Sequence, residues 1–170
     1  MKAVPHAVVA RQQEQRRAEA LGGRRTKGSG NRPGDRGDVA TAGALAELKF
    51  TYAATFRVTR TLLAKIEREA TAVTKWPWVE VEFRDTARRQ PRVTWVLVPC
   101  WVLDACGIRL RGWRVWPSVL CLRRDEVLPA RAALLLQAGS AGAWLAMPST
   151  SAARVLPWWL GPSGGRHGAR

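Results

Sequence analysis

The stretch "WVEVEF" in the middle of the chain is the feature that most limits the possible fold. Val79, Val81 and Phe83 alternate with acidic residues and would point to one face of an extended strand. Glu80 and Glu82 would then point to the other face. A second apolar segment, "VTWVLVP", follows the polar turn "RDTARRQPR" and predicts a neighbouring strand. A sheet with such an apolar face needs another layer to cover it.

The segment "TRTLLAKIEREATAV" supplies a candidate for that layer. It carries one apolar stripe of a helix, formed by Leu62, Leu63, Ile66 and Ala70. Thr59 or Thr61 would cap its first turn. Upstream, residues 8–22 predict another helix, and "DVAT" and "ALAELKFTY" predict two strands around a turn. The order helix, strand, strand, helix, strand, strand predicts an α/β fold with a mixed sheet flanked by helices.

The 170 residues have room for one ordinary domain and a small appendage. We expect a core at residues 8–104, where helix and strand patterns are regular. Residues 105–170 show no sustained period and are interpreted as a C-terminal extension of unknown role, with a disordered tail.

The charge balance indicates the kind of partner. The formal net charge is +15, which favours nucleic acid, where Lys and Arg displace condensed counterions. Three cysteines and two histidines without metal-ligand spacing indicate reduced thiols rather than a zinc site. The most apolar segment is too short for a membrane span and the first apolar run too short for a secretory signal. A cytoplasmic protein with no membrane partner is the expectation.

Scarce acidic residues gather in "RGDVATAGALAELKF". Glu47 and Lys49 are two apart on a predicted strand and would share one face, with Leu48 directed to the core. An antiparallel hairpin would bring Asp38 alongside Glu47. Two carboxylates suit Mg²⁺, which polarises a scissile phosphate and activates water, and a nearby lysine would position that water. The alternative is a surface ion pair at Glu47 and a simple turn residue at Asp38.

The loop before Asp38, "RRTKGSGNRPGDRG", offers backbone amides and cations for phosphate. Its spacing is not that of a Walker loop, and an ordinary linker is the alternative. Arg16 and Arg17, on the helix before it, are further candidates for phosphate contacts. The candidate DNA-binding residues in and beside the loop are Arg24, Arg25, Lys27, Ser29, Arg32 and Arg36.

The succession of a helix with a Glu, "GGRRTKGSG", "GD", "ELK", a helix and "VEVEF…TWVLVP" resembles the PD-(D/E)xK nuclease superfamily. It is most similar to archaeal-type Holliday junction resolvases and their phage relatives, over about residues 10–104. The resemblance implies a restriction-endonuclease-like core and a Mg²⁺ site, with Mn²⁺ as a possible substitute, for cutting DNA. It also implies a homodimer acting on branched DNA in a bacterial or phage setting. The residues that match the family's site are Glu14, Ser29, Asp38, Glu47 and Lys49.

Among these, Glu14, Asp38, Glu47 and Lys49 are the expected catalytic residues, with the metal at Asp38 and Glu47. Gly37 stands where the motif's name has Pro, and the interval from Asp38 to Glu47 is short, which implies a tight hairpin. Asp35 is an alternative to Asp38.

Glu19 is an alternative to Glu14 on the same helix. Residues five apart lie about 140° apart around a helix, so only one of them can face the site.

Three functions fit the sequence. The first is a structure-selective endonuclease for branched DNA, and the second a nuclease of the same fold with a restriction, nicking or end-processing role. The third is a non-catalytic basic nucleic-acid-binding protein whose acids are incidental.

Overall fold

The computed structural model describes residues 5–26, 37–85, 91–108, 112–116, 120–124, 132–137 and 142–156. It confirms an α/β fold with a mixed sheet and helices. The elements up to residue 84 are α1 (His6–Ala20), β1 (Arg24–Arg25), β2 (Val39–Ala40), β3 (Ala44–Thr51), β4 (Thr55–Val58), α2 (Arg60–Thr71) and β5 (Trp76–Arg84). The later ones are β6 (Pro91–Pro99), α3 (Cys100–Ala105), β7 (Gly112–Trp116), β8 (Leu120–Arg123), β9 (Ala132–Gln137), β10 (Ala143–Pro148) and α4 (Ser149–Val155).

Eight of the described strands form one sheet in the order β1-β2-β3-β5-β6-β10-β9-β7. The pairs β3/β5 and β7/β9 are parallel, and the other neighbours are antiparallel. Strands β4 and β8 pair separately. The parallel β3/β5 pair requires a crossover, and α2 lies in that connection and packs on β5.

The predicted hairpin is confirmed as β2 and β3. Val39 opposes Ala46, and the turn follows immediately at residues 41–43. Thr41 closes this turn, because its N–H donates to Ala44 O at 2.9 Å and its Oγ1 accepts the Ala44 N–H at 3.0 Å. Lys75 Nζ donates to Ala42 O at 3.0 Å and ties the turn to the end of the α2 connection. These bonds give the tight hairpin that the short interval predicts.

Helix α2 forms as its pattern predicts. Thr59, not Thr61, is the N-cap, and its Oγ1 accepts the Leu62 N–H at 3.2 Å. The buried side of α2 packs against one face of β5, and we call the buried residues on this side of the sheet the first core. Its members from α2 and β5 are Leu63, Ile66, Ala70, Val79, Val81 and Phe83.

The acidic face of β5 is buried as well, because α1 covers it with arginines. Glu80 and Glu82 are 3% and 2% exposed. Arg17 Nε donates to Glu80 Oε2 at 2.7 Å, and Arg16 donates to Glu82. Arg84 Nη2 donates to the other Glu82 oxygen at 2.7 Å. The alternation of β5 is therefore confirmed, but its charged face is an internal ion-pair layer rather than solvent-exposed.

Described residues after position 104 also join the sheet. Strand β10 pairs with β6 and places Trp144 in the first core and Met147 on the opposite side. We call the buried residues on that opposite side the second core, which includes Leu48, Trp78, Val96, Leu145 and Met147. Trp95 of β6 is fully buried and its Nε1–H donates to Arg123 O at 3.2 Å, which links β6 to β8. The boundary at residue 104 stays a prediction, and the expected disordered tail at 157–170 lies outside the described residues.

Candidate metal and active site

The hairpin brings Asp38 and Glu47 near each other. Asp38 directly precedes β2, and its N–H donates to Ala46 O at 2.7 Å. The paired register begins at Val39 opposite Ala46, so Asp38 lies just before it. The charge of Glu47 nevertheless acts on Asp38 and raises its pKa, which indicates that the two carboxylates lie near each other.

Asp38 is held in place by the backbone of β3. Its Oδ2 accepts the Leu48 N–H at 2.7 Å, and only 8% of the residue is exposed. Burial, followed by repulsion from Glu47, raises the pKa of Asp38 to about 6, against the opposing effects of the Leu48 N–H and Lys49. A cation beside this carboxyl group would stabilise its ionised form.

Glu47 has an ammonium group on each oxygen. Lys49 Nζ donates to Oε1 at 2.6 Å and Lys65 Nζ donates to Oε2 at 3.0 Å. Burial alone would raise the pKa of Glu47, but its bonds to the two lysines hold that pKa below the usual value. Leu48 points to the second core, so Glu47 and Lys49 share a face as the sequence predicts.

Lys65 is a member of this site that the sequence prediction missed. It lies on α2, 18 residues beyond Glu47, and reaches the site because α2 folds back over β3. The only signal in the sequence was its position beside Leu62 and Ile66 of the apolar stripe, which places it at the border of the packed face. Its Nζ also lies 4.0 Å from Glu69 Oε1 on the next turn.

Gly37 connects this network to the start of the hairpin. Its N–H donates to Glu69 Oε2 at 3.0 Å and its φ is +62°. A Cβ at this position would lie 2.8 Å from both Ala46 O and Leu45 Cγ. Proline fixes φ near −65° and lacks an N–H, so the Pro of the motif's name does not fit this backbone. The departure at Gly37 thus has a structural reason.

Glu14, not Glu19, faces the hairpin. Glu14 and Asp38 line one cleft of about 300 Å³ between α1 and the β1–β2 edge, together with Arg25. Glu14 Oε2 is 3.6 Å from Arg25 Nε, and partial burial raises the pKa of Glu14. Glu19 is exposed and accepts an N–H from Gln15 at 2.6 Å. Of the two alternatives, Glu14 is the one that lines the cleft with Asp38, and its role in a site stays a prediction.

Gln13 is a second residue that sequence reasoning missed. It is 1% exposed, and its Nε2 donates to Lys49 O at 3.0 Å. A buried side-chain amide that bonds the backbone of β3 fixes α1 next to the site. Its polar character within a weakly amphipathic helix gave no sequence signal of this role.

The candidate DNA-binding residues divide into three groups. Arg24 and Arg25 form β1, the exposed edge strand beside β2, and Arg25 also pairs with Glu14. Arg16 and Arg17 instead hold the buried Glu82 and Glu80, as described above. The others lie outside the described residues, as does the alternative acid Asp35: they are Lys27, Ser29, Arg32 and Arg36.

The carboxylate oxygens of Asp38 and Glu47 are donors of the kind that Mg²⁺ needs. This ion takes oxygen ligands, keeps several waters and binds proteins through one or two carboxylates together with substrate phosphate. Asp38 and Glu47 offer such a pair, and their mutual repulsion would be relieved by a cation. Among the described residues no three His, Cys, Asp or Glu side chains form a group able to hold a metal by themselves. The two-carboxylate pair therefore fits Mg²⁺, provided that Glu47 Oε2 exchanges Lys65 for the ion.

No family model matches the chain, and no curated protein or solved structure is significantly similar to it. None of the helices in the described ranges is long and apolar enough to cross a membrane. The function is therefore inferred from the side-chain geometry around Asp38 and Glu47.

Proposed function

We propose that this protein is a metal-dependent DNA endonuclease with a restriction-endonuclease-like core of the PD-(D/E)xK type. The observation that supports it is the meeting of three side chains on one hairpin: Lys49 bonds to Glu47, and the charge of Glu47 raises the pKa of the neighbouring Asp38. Glu14 lies across the same cleft as Asp38. The order of helix, hairpin, helix and strand pair agrees with the resemblance to archaeal-type Holliday junction resolvases.

Each side chain has a chemical role in phosphodiester hydrolysis. Asp38 and Glu47 would hold Mg²⁺ or Mn²⁺, which supplies polarisation of the scissile phosphate and a lowered pKa of bound water. Lys49 is 38% exposed, and its Nζ lies 2.6 Å from Glu47 Oε1. That ammonium positions the attacking water and offsets negative charge in the transition state. Glu14 adds a second carboxylate to the cleft that Asp38 lines, beside Arg11 and Arg25.

The substrate is DNA, and the preferred form is a branched junction. A net charge of +15 supplies the long-range attraction to phosphate. Arg24 and Arg25 lie exposed on the edge strand next to the hairpin, where a phosphate backbone can approach. A resolvase cuts two symmetry-related strands, so we propose a homodimer.

A non-catalytic nucleic-acid-binding protein is the second candidate, and the ion pairs of Glu47 favour it. Both oxygens of this buried carboxylate are satisfied by Lys49 and Lys65 without a metal. In that case the site is a structural ion-pair network on a basic protein. A nuclease of the same fold with a restriction, nicking or end-processing role shares the proposed chemistry and differs only in substrate.

Cleavage of labelled DNA distinguishes these candidates. Four-way junctions, linear duplexes and single strands are incubated with and without Mg²⁺ or Mn²⁺. The variants are Asp38→Asn and Glu47→Gln, with Asp104→Asn, an exposed carboxylate on α3, as the matched control. We expect metal-dependent cutting, a loss of roughly a hundredfold or more in the two site variants, and retained DNA binding in gel shifts.

The outcomes separate the candidates. Failure of the wild-type protein to cut any of the DNAs would favour the binding protein. Equal cutting of junctions and duplexes would retain a nuclease and remove the junction preference.

A further inference from the structure

Lys65 is bound to an oxygen that the metal would need. Its Nζ lies 3.0 Å from Glu47 Oε2, while Lys49 Nζ holds Oε1 at 2.6 Å. Two carboxylates, Asp38 and Glu47, thus interact with two ammonium groups. These four charges balance without a metal ion, so a divalent ion competes with the ammonium groups for the carboxylate oxygens, and departure of one ammonium would favour its binding.

Of the two ammonium groups, that of Lys65 has a second carboxylate within reach. Its side chain is 33% exposed and its Nζ is already 4.0 Å from Glu69 Oε1, one helical turn away. Glu69 is itself held in place, because its Oε2 accepts the Gly37 N–H at 3.0 Å. A small rotation of the lysine side chain would exchange one carboxylate partner for the other. Among the described residues Lys49 has no second carboxylate within 4 Å, and Asp38 and Glu14 interact with its charge from farther away.

We infer that Lys65 is an internal competitor for the divalent ion: it occupies Glu47 in the metal-free protein and moves to Glu69 when the ion binds. This inference rests on the proposed function, because it takes Mg²⁺ as the ion. Lys65 is a positioning residue and not a catalytic one. It keeps the buried carboxylate of Glu47 paired before metal entry and weakens metal affinity by competing for the same oxygen.

If Lys65 competes with the ion, two substitutions should change the Mg²⁺ affinity in opposite directions. Lys65→Met removes the competitor and one positive charge near the ion, so Mg²⁺ should bind about tenfold more tightly. It also leaves Glu47 with one lysine, so the metal-free protein should melt at a lower temperature and recover when Mg²⁺ is added. Glu69→Gln removes the alternative partner while still accepting the Gly37 N–H. Mg²⁺ should then bind more weakly, because Lys65 stays on Glu47.

The test is calorimetric titration of each full-length variant with Mg²⁺ alone, without DNA, together with melting temperatures. Arg68→Met is the matched control, because Arg68 is exposed on the same helix and carries the same charge. Its Mg²⁺ affinity should stay within about twofold of the wild type, since its exposed charge is screened.

The results separate this inference from the proposed function. Equal affinities for Lys65→Met and Arg68→Met, with wild-type binding that still depends on Asp38, overturn the competition and leave the nuclease proposal intact. Mg²⁺ binding by the Lys65→Met variant but not by the wild type would support the competition, because Lys65 would then exclude the ion completely. Absence of binding in both the wild type and Lys65→Met overturns both proposals.

Discussion

Replacing Gly37 with alanine is expected to destabilise the protein by about 2–4 kcal/mol. Gly37 has φ +62°, a region that costs an alanine about 1–2 kcal/mol, or about 1 kcal/mol net once the lower entropy of the unfolded chain is included. Its new Cβ would also lie 2.8 Å from Ala46 O, a backbone atom that cannot move without disturbing β3. Relieving such a contact in a packed site costs roughly 1–3 kcal/mol. The position directly precedes Asp38, so the same shift moves the candidate metal ligand.

Three glycines separate the two contributions. Gly107 has φ +66° with no atom within 4 Å of an added Cβ, so Gly107→Ala should cost only the backbone strain, about 1 kcal/mol net. Gly43 has neither a positive φ nor a near neighbour, so Gly43→Ala should be neutral or stabilise by up to about 1 kcal/mol.

Urea denaturation followed by tryptophan fluorescence gives the three free energies of unfolding. Near-equal losses for Gly37→Ala and Gly107→Ala would refute the close approach of Gly37 to Ala46.

Three further predictions concern the elements around the site. Thr59→Ala should cost about 1 kcal/mol by removing the cap bond to Leu62, whereas Thr61→Ala should be near neutral; thermal melts compare them. Arg17→Met should cost about 3–5 kcal/mol in urea denaturation, because it leaves Glu80 buried without its bonded arginine; a loss under 1 kcal/mol would contradict the buried pair. The pKa of Asp38 is raised in the folded protein from 3.8 to about 6, so its ionisation opposes folding, and stability should fall as the pH rises from about 4 to 6. Asp38→Asn should remove this component and be more stable than the wild type at pH 7.5 by up to about 3 kcal/mol. Parallel pH profiles for the two proteins in urea denaturation would contradict the raised pKa.

The pattern of apolar residues within one segment was enough to predict α2 and β5. The stripe of α2 faces the first core, and the alternation in "WVEVEF" gives the two faces of β5. The short interval between Asp38 and Glu47 predicted the β2–β3 hairpin, because a tight turn allows few registers between the two strands. These features depend on spacing within one element or one turn.

Features that depend on how two elements cross were not predicted. Nothing in β5 alone shows that Arg16 and Arg17 of α1 cover Glu82 and Glu80, although acids between apolar residues usually indicate a solvated face. Lys65 reaches Glu47 only because α2 crosses back over β3. The sequence shows Gly37 only as a departure from the motif's Pro, whereas the requirement for glycine comes from Ala46 and Leu45 on the neighbouring strand.

The most direct test of the shared metal site is a crystal structure of the protein soaked with Mn²⁺, with the ion located by its anomalous signal. We expect one ion between the carboxylates of Asp38 and Glu47, with Lys65 Nζ moved to Glu69. An ion bound elsewhere, or Lys49 and Lys65 still on both oxygens of Glu47 with no ion beside Asp38, would contradict a metal-dependent nuclease site in this hairpin.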